Sequence, residues 1–347
     1  MISGMINSII HADCMDVLRE LPDKCVDLVL TDPPYFRIAK NEWDNQWKDI
    51  TEFQKWVGEI GLELRRIMKD NASFFWFGDD KTIAYCQVKL DKIFHLINSL
   101  IWEKPATRAS KYIMNMRSFA PVTERILFYE KKGADGKPAT GNERIHSMPE
   151  SFQSIKEYMR GERDKIKAVK GFRTENEFVE YVNALTNTAC SVSRHYFADS
   201  QYRFPTPELY AMLQKSGFFR REYEDLRREY EDLRRVWNSA LDAKEVLKFS
   251  IEQKQQHPTQ KPLKLISYLI ERASRKGSLI LDPFSGSGTT AIAAHRLGRR
   301  FICIEKDAEY HAASVKRLEA ERQQGRLDLF PVLPELTQKT LFERKGN

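Results

Sequence analysis

Short apolar runs and amphipathic stretches alternate along most of the chain. Ile6–Ile10, Val26–Leu30, Ser73–Phe77, Leu96–Trp102, Arg125–Tyr129, Ser278–Asp282 and Arg300–Ile304 are rich in β-branched, aliphatic and aromatic residues and are bounded by turn formers. That is the pattern of buried strands. Between them, Asp16–Leu21, Ile50–Met68, Lys81–Ile93, Leu263–Ala273, Thr290–Leu297 and Asp307–Gln323 read as helices. In Ile50–Met68 the residues Phe53, Trp56, Val57, Ile60, Leu64 and Ile67 fall on one side. The alternation predicts an α/β fold with a doubly wound, parallel sheet and a short antiparallel pair near its edge.

The rhythm breaks at Gly133-Ala134-Asp135-Gly136-Lys137-Pro138. From 133 to 256 strand signals are sparse and helices dominate, so the chain divides into a first part of the α/β domain (1–132), a mostly helical insert (133–256), a second part (257–325) and a polar, flexible tail (326–347). Ser151–Val169 is one helix of the insert. Thr174-x-x-Glu177 is a capping box opening a second. Pro205-Thr206-Pro207-Glu208 opens a third. A heptad then occurs twice without change, Arg221–Arg227 and Arg228–Arg234. Tyr223, Leu226, Tyr230, Leu233 and Trp237 keep the 3-4-3-4 rhythm of a coiled-coil seam. Two heptads are too few to stand alone, so this helix must dock on another, in the insert or in a second copy of the chain. A homodimer through it is therefore one expectation. The acids within each heptad favour a solvated, salt-bridged outer face.

The net charge is +7, which permits a polyanionic partner without requiring one. Residues 131–256 carry 23 basic and 20 acidic side chains, so bulk charge on the insert does not account for the excess. Five scattered cysteines (Cys14, Cys25, Cys86, Cys190 and Cys303), an odd number without a C-x-x-C pair, indicate a reducing, cytoplasmic setting rather than a disulfide framework or a zinc site. The dispersed histidines offer no metal centre. No run approaches a membrane span, and residues 1–11 lack the profile of a signal peptide.

Two segments carry the chemistry. Thr31-Asp32-Pro33-Pro34-Tyr35 ends the strand Val26–Leu30. The prolines stop both helix and ladder and hold a carboxylate, a rigid carbonyl and an aromatic ring at the carboxyl edge of the sheet, where ligands bind in open α/β folds. An ordinary turn is the alternative. Pro283-Phe284-Ser285-Gly286-Ser287-Gly288-Thr289 comes after the strand ending at Asp282 and opens a helix, and Glu305 ends the next strand, 17 residues beyond Gly288. Strand, glycine turn, helix, strand and acid make the mononucleotide half of a Rossmann-like unit, the acid suiting the hydroxyls of a ribose. The loop lacks the third glycine of a dinucleotide site and the lysine of a P-loop.

With both segments in one chain, the sequence resembles the amino-methyltransferases that modify exocyclic amines of DNA bases. Asp32-Pro33-Pro34-Tyr35 matches their DPPY motif and Phe284-x-Gly286-x-Gly288 their FxGxG motif. The catalytic motif comes first, as in the circularly permuted β-group. His257-Pro258-Thr259-Gln260-Lys261-Pro262 and Asp13-Cys14 also match that group. The likeness covers roughly 6–132 and 257–322, and the insert takes the place of the target-recognition region. The resemblance implies a Rossmann-like, S-adenosylmethionine (AdoMet)-dependent sheet acting on double-stranded DNA. It implies that Asp13 and Cys14 meet the adenine of AdoMet and Glu305 its ribose. Phe284, Gly286 and Gly288 would line the cofactor, Thr259–Lys261 would pass its methionine end, and Asp282 would brace the glycine loop. Asp32 and the Pro33 carbonyl would accept the N–H groups of the target amine, with Pro34 shaping the turn and Tyr35 stacking on the base. In this family aspartate at the first motif position favours N6 of adenine and serine favours N4 of cytosine, so Asp32 favours adenine. N4-cytosine transfer remains the alternative within the class, and an AdoMet-binding regulatory protein without turnover the alternative outside it. Arg194, His195, Tyr202 and Arg203 are candidates for contacts with base edges.

Overall fold

The computed structural model describes residues 2–38, 42–104, 122–131, 152–187, 195–197, 203–233, 236–238, 244–251 and 260–324. Two compact units divide the chain, Met1–Lys131 with Val236–Asn347, and Lys132–Arg235.

Among the described residues the first unit is built on eight strands: β1 (Ser8–His11), β2 (Val26–Thr31), β3 (Met68–Gly78), β4 (Phe94–Glu103), β5 (Thr123–Lys131), β6 (Val246–Lys248), β7 (Leu279–Asp282) and β8 (Arg300–Glu305). Their order in the sheet is β1-β8-β7-β2-β3-β5-β4-β6. All neighbours are parallel except β5, which runs antiparallel to both β3 and β4. The expected antiparallel pair is therefore one reversed strand. The doubly wound α/β reading holds.

Central strands are apolar on both faces because both faces are covered. Val29, Phe74, Trp76 and Leu281 point into one core, packed against α1 (Cys14–Glu20), α2 (Ile50–Ile67) and α3 (Ile83–Leu90). Their sequence neighbours Leu28, Leu30, Phe75, Phe77 and Ile280 point into the other, against α8 (Leu263–Ala273) and α9 (Thr289–Arg296). The two-residue strand period thus feeds two cores from one run. α10 (Ala308–Gln324) comes after β8.

The chain leaves β2 through α2 towards β3, and leaves β7 through α9 towards β8 on the opposite side. β2 and β7 are adjacent, with Leu28 opposite Ile280 and Val29 opposite Leu281. The winding reverses between them, and at such a switch point the carboxyl edge of the sheet opens into a crevice. Both chemical segments start there.

Three boundaries differ from expectation. β3 begins at Met68, directly after α2, because its polar start is paired: Lys69 meets Asp27 at 2.6 Å, and Asp70 meets Lys24 at 2.7 Å and Lys131 at 3.2 Å. The second unit ends at Arg235, not at 256. Residues beyond it return to the sheet, where β6 pairs with β4 and the Trp237 ring stacks on Phe128 at 5.4 Å. The repeat helix is accordingly shorter than the seam suggested, and Trp237 is not on it.

The second unit holds α4 (Gln153–Lys170), α5 (Glu175–Thr186), α6 (Pro207–Gln214) and α7 (Tyr223–Leu233). The capping box forms, with the Thr174 hydroxyl accepting the Glu177 N–H and Glu177 accepting that of Thr174. Leu226 and Tyr230 of α7 are buried in this unit's own core, where the Tyr230 ring stacks between Phe152 and Phe204 at 4.5 Å from each. The seam is filled from within. Of the four candidates for base contacts, Arg194 and Tyr202 lie outside the described residues, and the Arg203 N–H donates to the His195 carbonyl.

Candidate active site

β2 runs out at Thr31, and the two prolines turn the backbone so that residue 35 comes back over residue 32. The Tyr35 hydroxyl donates to Asp32 Oδ1 at 2.5 Å, and Lys261 Nζ donates to Asp32 Oδ2 at 2.5 Å. The turn is fastened from outside by Asp44, which accepts the Tyr35 backbone N–H at 2.8 Å. Burial pushes the Tyr35 hydroxyl well above its ordinary range, and Asp32 adds to that, so it stays a donor.

Lys261 is buried and held by two acids, Asp32 and Glu124, the latter at 3.2 Å. Glu124 also meets Lys104 at 2.5 Å. The result is a neutral row of alternating charges, Asp32, Lys261, Glu124 and Lys104. Burial pushes Asp32 above the ordinary carboxylate range, against the pull of Lys261 and with the added push of Glu124. Burial also acts on Glu124, but its two ammonium partners hold it below that range. Burial disfavours the Lys261 charge as well, and the two carboxylates outweigh it and raise Lys261. Two carboxylates share one ammonium, and the one with a second cation ionises first.

The glycine loop is braced from below by Asp282, whose Oδ1 accepts the Phe284 N–H at 3.1 Å and whose Oδ2 accepts the Thr290 hydroxyl at 2.6 Å. Burial pushes Asp282 up to about 7. Gly286 adopts φ of +48°, and its N–H donates to Glu305 Oε2 at 2.8 Å. Glu305 Oε1 accepts the Asp307 N–H at 2.8 Å, so this acid ties the glycine loop to the start of α10. Gly288 has φ of +73°, and a Cβ there would lie 3.0 Å from Ser314 Cβ. Its smallness serves the packing of α10 against the loop.

Asp13 caps α1 by accepting the Met15 N–H at 3.0 Å and meets Lys306 at 3.0 Å. Burial pushes Asp13 up, but these two partners leave it below the usual range. Burial raises the Cys14 thiol to about 12, which keeps it neutral.

These groups surround one cavity of about 510 Å³. Asp32, Pro33, Pro34 and Tyr35 line it, as do Asp13, Cys14, Lys261, Asp282, Phe284, Gly286 and Glu305. Gly288 stands behind the wall, and Thr259 lies outside the described residues. The placement of Lys261 departs from expectation, because its ammonium is bound to the catalytic motif. The lining also includes Asp44, Ser285, Lys306 and Tyr310, which the sequence pattern did not single out, while Glu124 stands just behind Lys261. Lys306 and Asp307 come directly after the strand-ending Glu305, a local signal for the cavity rim; Glu124 had none. In the loop after Tyr35, Trp47 is buried against Phe53 and Trp56, whereas Trp43 meets Tyr310 edge-on at 5.7 Å at the cavity.

The model of the N6/N4 DNA methylase family matches residues 26–316, most of the chain. The chain belongs to that family. It is an AdoMet-dependent DNA methyltransferase. The chain is 25% identical over 315 residues to the DNA adenine methyltransferase YhdJ of Escherichia coli, an alignment covering 90% of this chain and 82% of that protein. It is 26% identical over 335 residues to the type II methyltransferase M2.DpnII of Streptococcus pneumoniae, covering 91% and 90%. Among solved structures, the cytosine-N4-specific PvuII DNA methyltransferase shares the fold with a TM-score of 0.50 and 14% identity, 91% of each chain being covered.

The cavity of this methyltransferase suits AdoMet on grounds of its own. Its volume is that of a small-molecule site. Ser285 Oγ is buried in the wall without a hydrogen-bond partner among the described residues, a polar atom placed for a ligand. Glu305 adds a carboxylate to the lining, whereas Asp13 and Asp32 are paired with Lys306 and Lys261, and the Trp56 and Phe284 rings, 5.6 Å apart, give a ligand an apolar side. Among the described residues no cluster of acids, histidines and cysteines could hold a metal ion, and no helix is long and apolar enough to cross a membrane.

Proposed function

We propose that this chain is a site-specific adenine-N6 DNA methyltransferase of the permuted β-group, acting in the cytoplasm on double-stranded DNA. The observation that carries the reading is the sharing of one cavity by Asp32-Pro33-Pro34-Tyr35 and the glycine loop, on adjacent strands at the switch point. Motif order supports the permuted group. Aspartate at position 32 and the adenine activity named for YhdJ support adenine over cytosine. The four free cysteines among the described residues suit a reducing compartment.

In this reading the glycine-loop side of the cavity, with Asp13, Cys14, Phe284, Ser285, Gly286 and Glu305, holds AdoMet, and the Asp32 side holds the base. When bound, the cofactor supplies a methyl group already made electrophilic by its sulfonium. The protein's own task is to aim a poor nucleophile, since the amino lone pair of adenine is delocalised into the ring. Asp32 uses one oxygen for Tyr35 and the other for Lys261, but a carboxylate offers roughly four acceptor sites, so a further N–H can be received. The Pro33 carbonyl receives the second. Acceptors fixed in advance localise the lone pair and stabilise the charge that develops on nitrogen. The ring of Tyr35, held by its own hydroxyl, offers the base a face to stack on. A duplex base reaches this pocket only when flipped out, at a cost of roughly a few kcal/mol that contacts with phosphates and flanking bases must offset. The unit Lys132–Arg235 is assigned that recognition. A homodimer through α7 has no support from a seam already filled within its own unit.

Methyl transfer from labelled AdoMet to unmethylated genomic DNA, with nucleoside mass spectrometry of the product, tests the reading. N6-methyladenine is the expected product. N4-methylcytosine would keep the mechanism and overturn the assignment of the base. AdoMet binding without any DNA product would favour the regulatory alternative.

A further inference from the structure

The row Asp32, Lys261, Glu124 and Lys104 is larger than the acceptor function needs. An acceptor of N–H groups requires a carboxylate; it does not require a buried ammonium on one oxygen, nor a second acid behind that ammonium. Lys261 Nζ is fixed on four sides: Asp32 Oδ2 at 2.5 Å, Glu124 Oε2 at 3.2 Å, the Tyr35 hydroxyl at 3.4 Å, and the faces of Phe77 and Tyr35 at 5.5 and 5.7 Å. Glu124 stands on β5, the reversed strand of the sheet, opposite Trp102, and Lys104 covers it from the end of β4. This acid comes from a strand outside both chemical motifs.

We propose that Glu124 is a positioning residue for methyl transfer: it anchors Lys261 as the fixed counter-ion of Asp32 and takes part of that ammonium's charge, so that Lys261 holds Asp32 ionised without drawing off the electron density with which Asp32 receives the target amine. The inference rests on the reading of Asp32 as amine acceptor. A lone ammonium on Asp32 would draw electron density from the oxygens that must receive the amine. A lone Asp32 in this buried site would take up a proton. Sharing one cation between two acids avoids both, and Lys104 keeps the sum neutral. The charged and titratable groups around Asp32 are Tyr35 on its own turn, Lys261 before α8, Glu124 on β5 and Asp282 after β7, and Asp79 after β3 acts on Tyr35.

The test is single-turnover methylation at saturating AdoMet across pH, with AdoMet affinity measured separately. Wild-type transfer and its loss in Asp32→Asn are established first; without them the functional reading fails, not this one. Glu124→Gln is then expected to slow transfer by about tenfold or more while AdoMet Kd stays within about twofold. Removing the negative charge also lowers Asp32, so the acid limb of the rate profile moves to lower pH. Lys104→Gln, away from the cavity wall, moves the same limb the other way, because it removes a positive charge and leaves Glu124 with Lys261 alone. If Glu124→Gln fails to fold, the Lys104→Gln profile decides alone. Unmoved limbs, or loss of AdoMet affinity in step with rate, overturn the proposal.

Discussion

Asp44 accepts the backbone N–H of Tyr35 at 2.8 Å, so a buried carboxylate nine residues downstream fixes the turn that carries Asp32. Removing it leaves that N–H without this acceptor and frees the ring and hydroxyl that orient Asp32. Asp44→Ala is expected to lower the transfer rate by about tenfold to a hundredfold, the usual cost of misplacing a reacting group by about an ångström. Asp44→Asn keeps a carbonyl at the same place and should lose much less. Single-turnover rates of the two variants check this; equal losses would mean that the charge, not the hydrogen bond, is what counts.

Glu305 uses both oxygens on backbone N–H groups, of Gly286 and Asp307. Glutamine has one carbonyl and can replace only one of them. Glu305→Gln should therefore loosen the glycine loop and weaken AdoMet by about tenfold or more, as expected when a hydrogen bond to a charged group is lost. The rate at saturating AdoMet should change little. Titration calorimetry with AdoMet reads the first quantity and single-turnover methylation the second.

Most of what positions these groups was legible in the sequence, for a local reason. Val26–Leu30 and Ser278–Asp282 announce buried strands by composition, and Pro33-Pro34 and the glycines after 284 announce the turn at the end of each. Backbone chemistry of this kind acts within a few residues. The Lys261–Asp32 pair joins residues 229 positions apart, and Glu124 enters only because β5 reverses and brings it beside them. No spacing encodes such a meeting. The repeat misled in the opposite way. Its 3-4 rhythm is real through Tyr230, but it runs on to Trp237, which the first unit claims through Phe128 of β5 and the Arg272 guanidinium of α8, 4.5 Å from the indole. Periodicity reports a buried face and does not say what buries it.

Asp282 makes a prediction about pH and stability. Its carboxyl titrates at about 7 in the folded protein because burial penalises its charge, against 3.8 for an ordinary aspartate. The folded state therefore binds more protons than the unfolded state between about pH 4 and 7, and this group's contribution to stability falls as pH rises through that window and is level above it. Asp282→Asn keeps an acceptor for the loop and removes the titration. Across that window the variant should gain on wild type by about 2–4 kcal/mol, the linkage value of such a shift. Urea unfolding of both proteins at about pH 4.5 and about pH 7.5 measures the difference, and parallel pH dependences would refute it.

Leu226 is fully buried in the second unit, beside Tyr230 and the rings that enclose it. A seam filled from within is a folding element, and a seam filled by a second copy is an interface; the two respond differently to dilution. Leu226→Ala should destabilise the second unit by about 2–5 kcal/mol, the range for a large-to-small change in a packed core. The loss should be the same at micromolar and at hundredfold higher concentration, because no association is coupled to it. Thermal unfolding across that range, with mass from light scattering, is the measurement. A midpoint that climbs with concentration in the wild type and stops climbing in Leu226→Ala would return α7 to the role of a dimer interface.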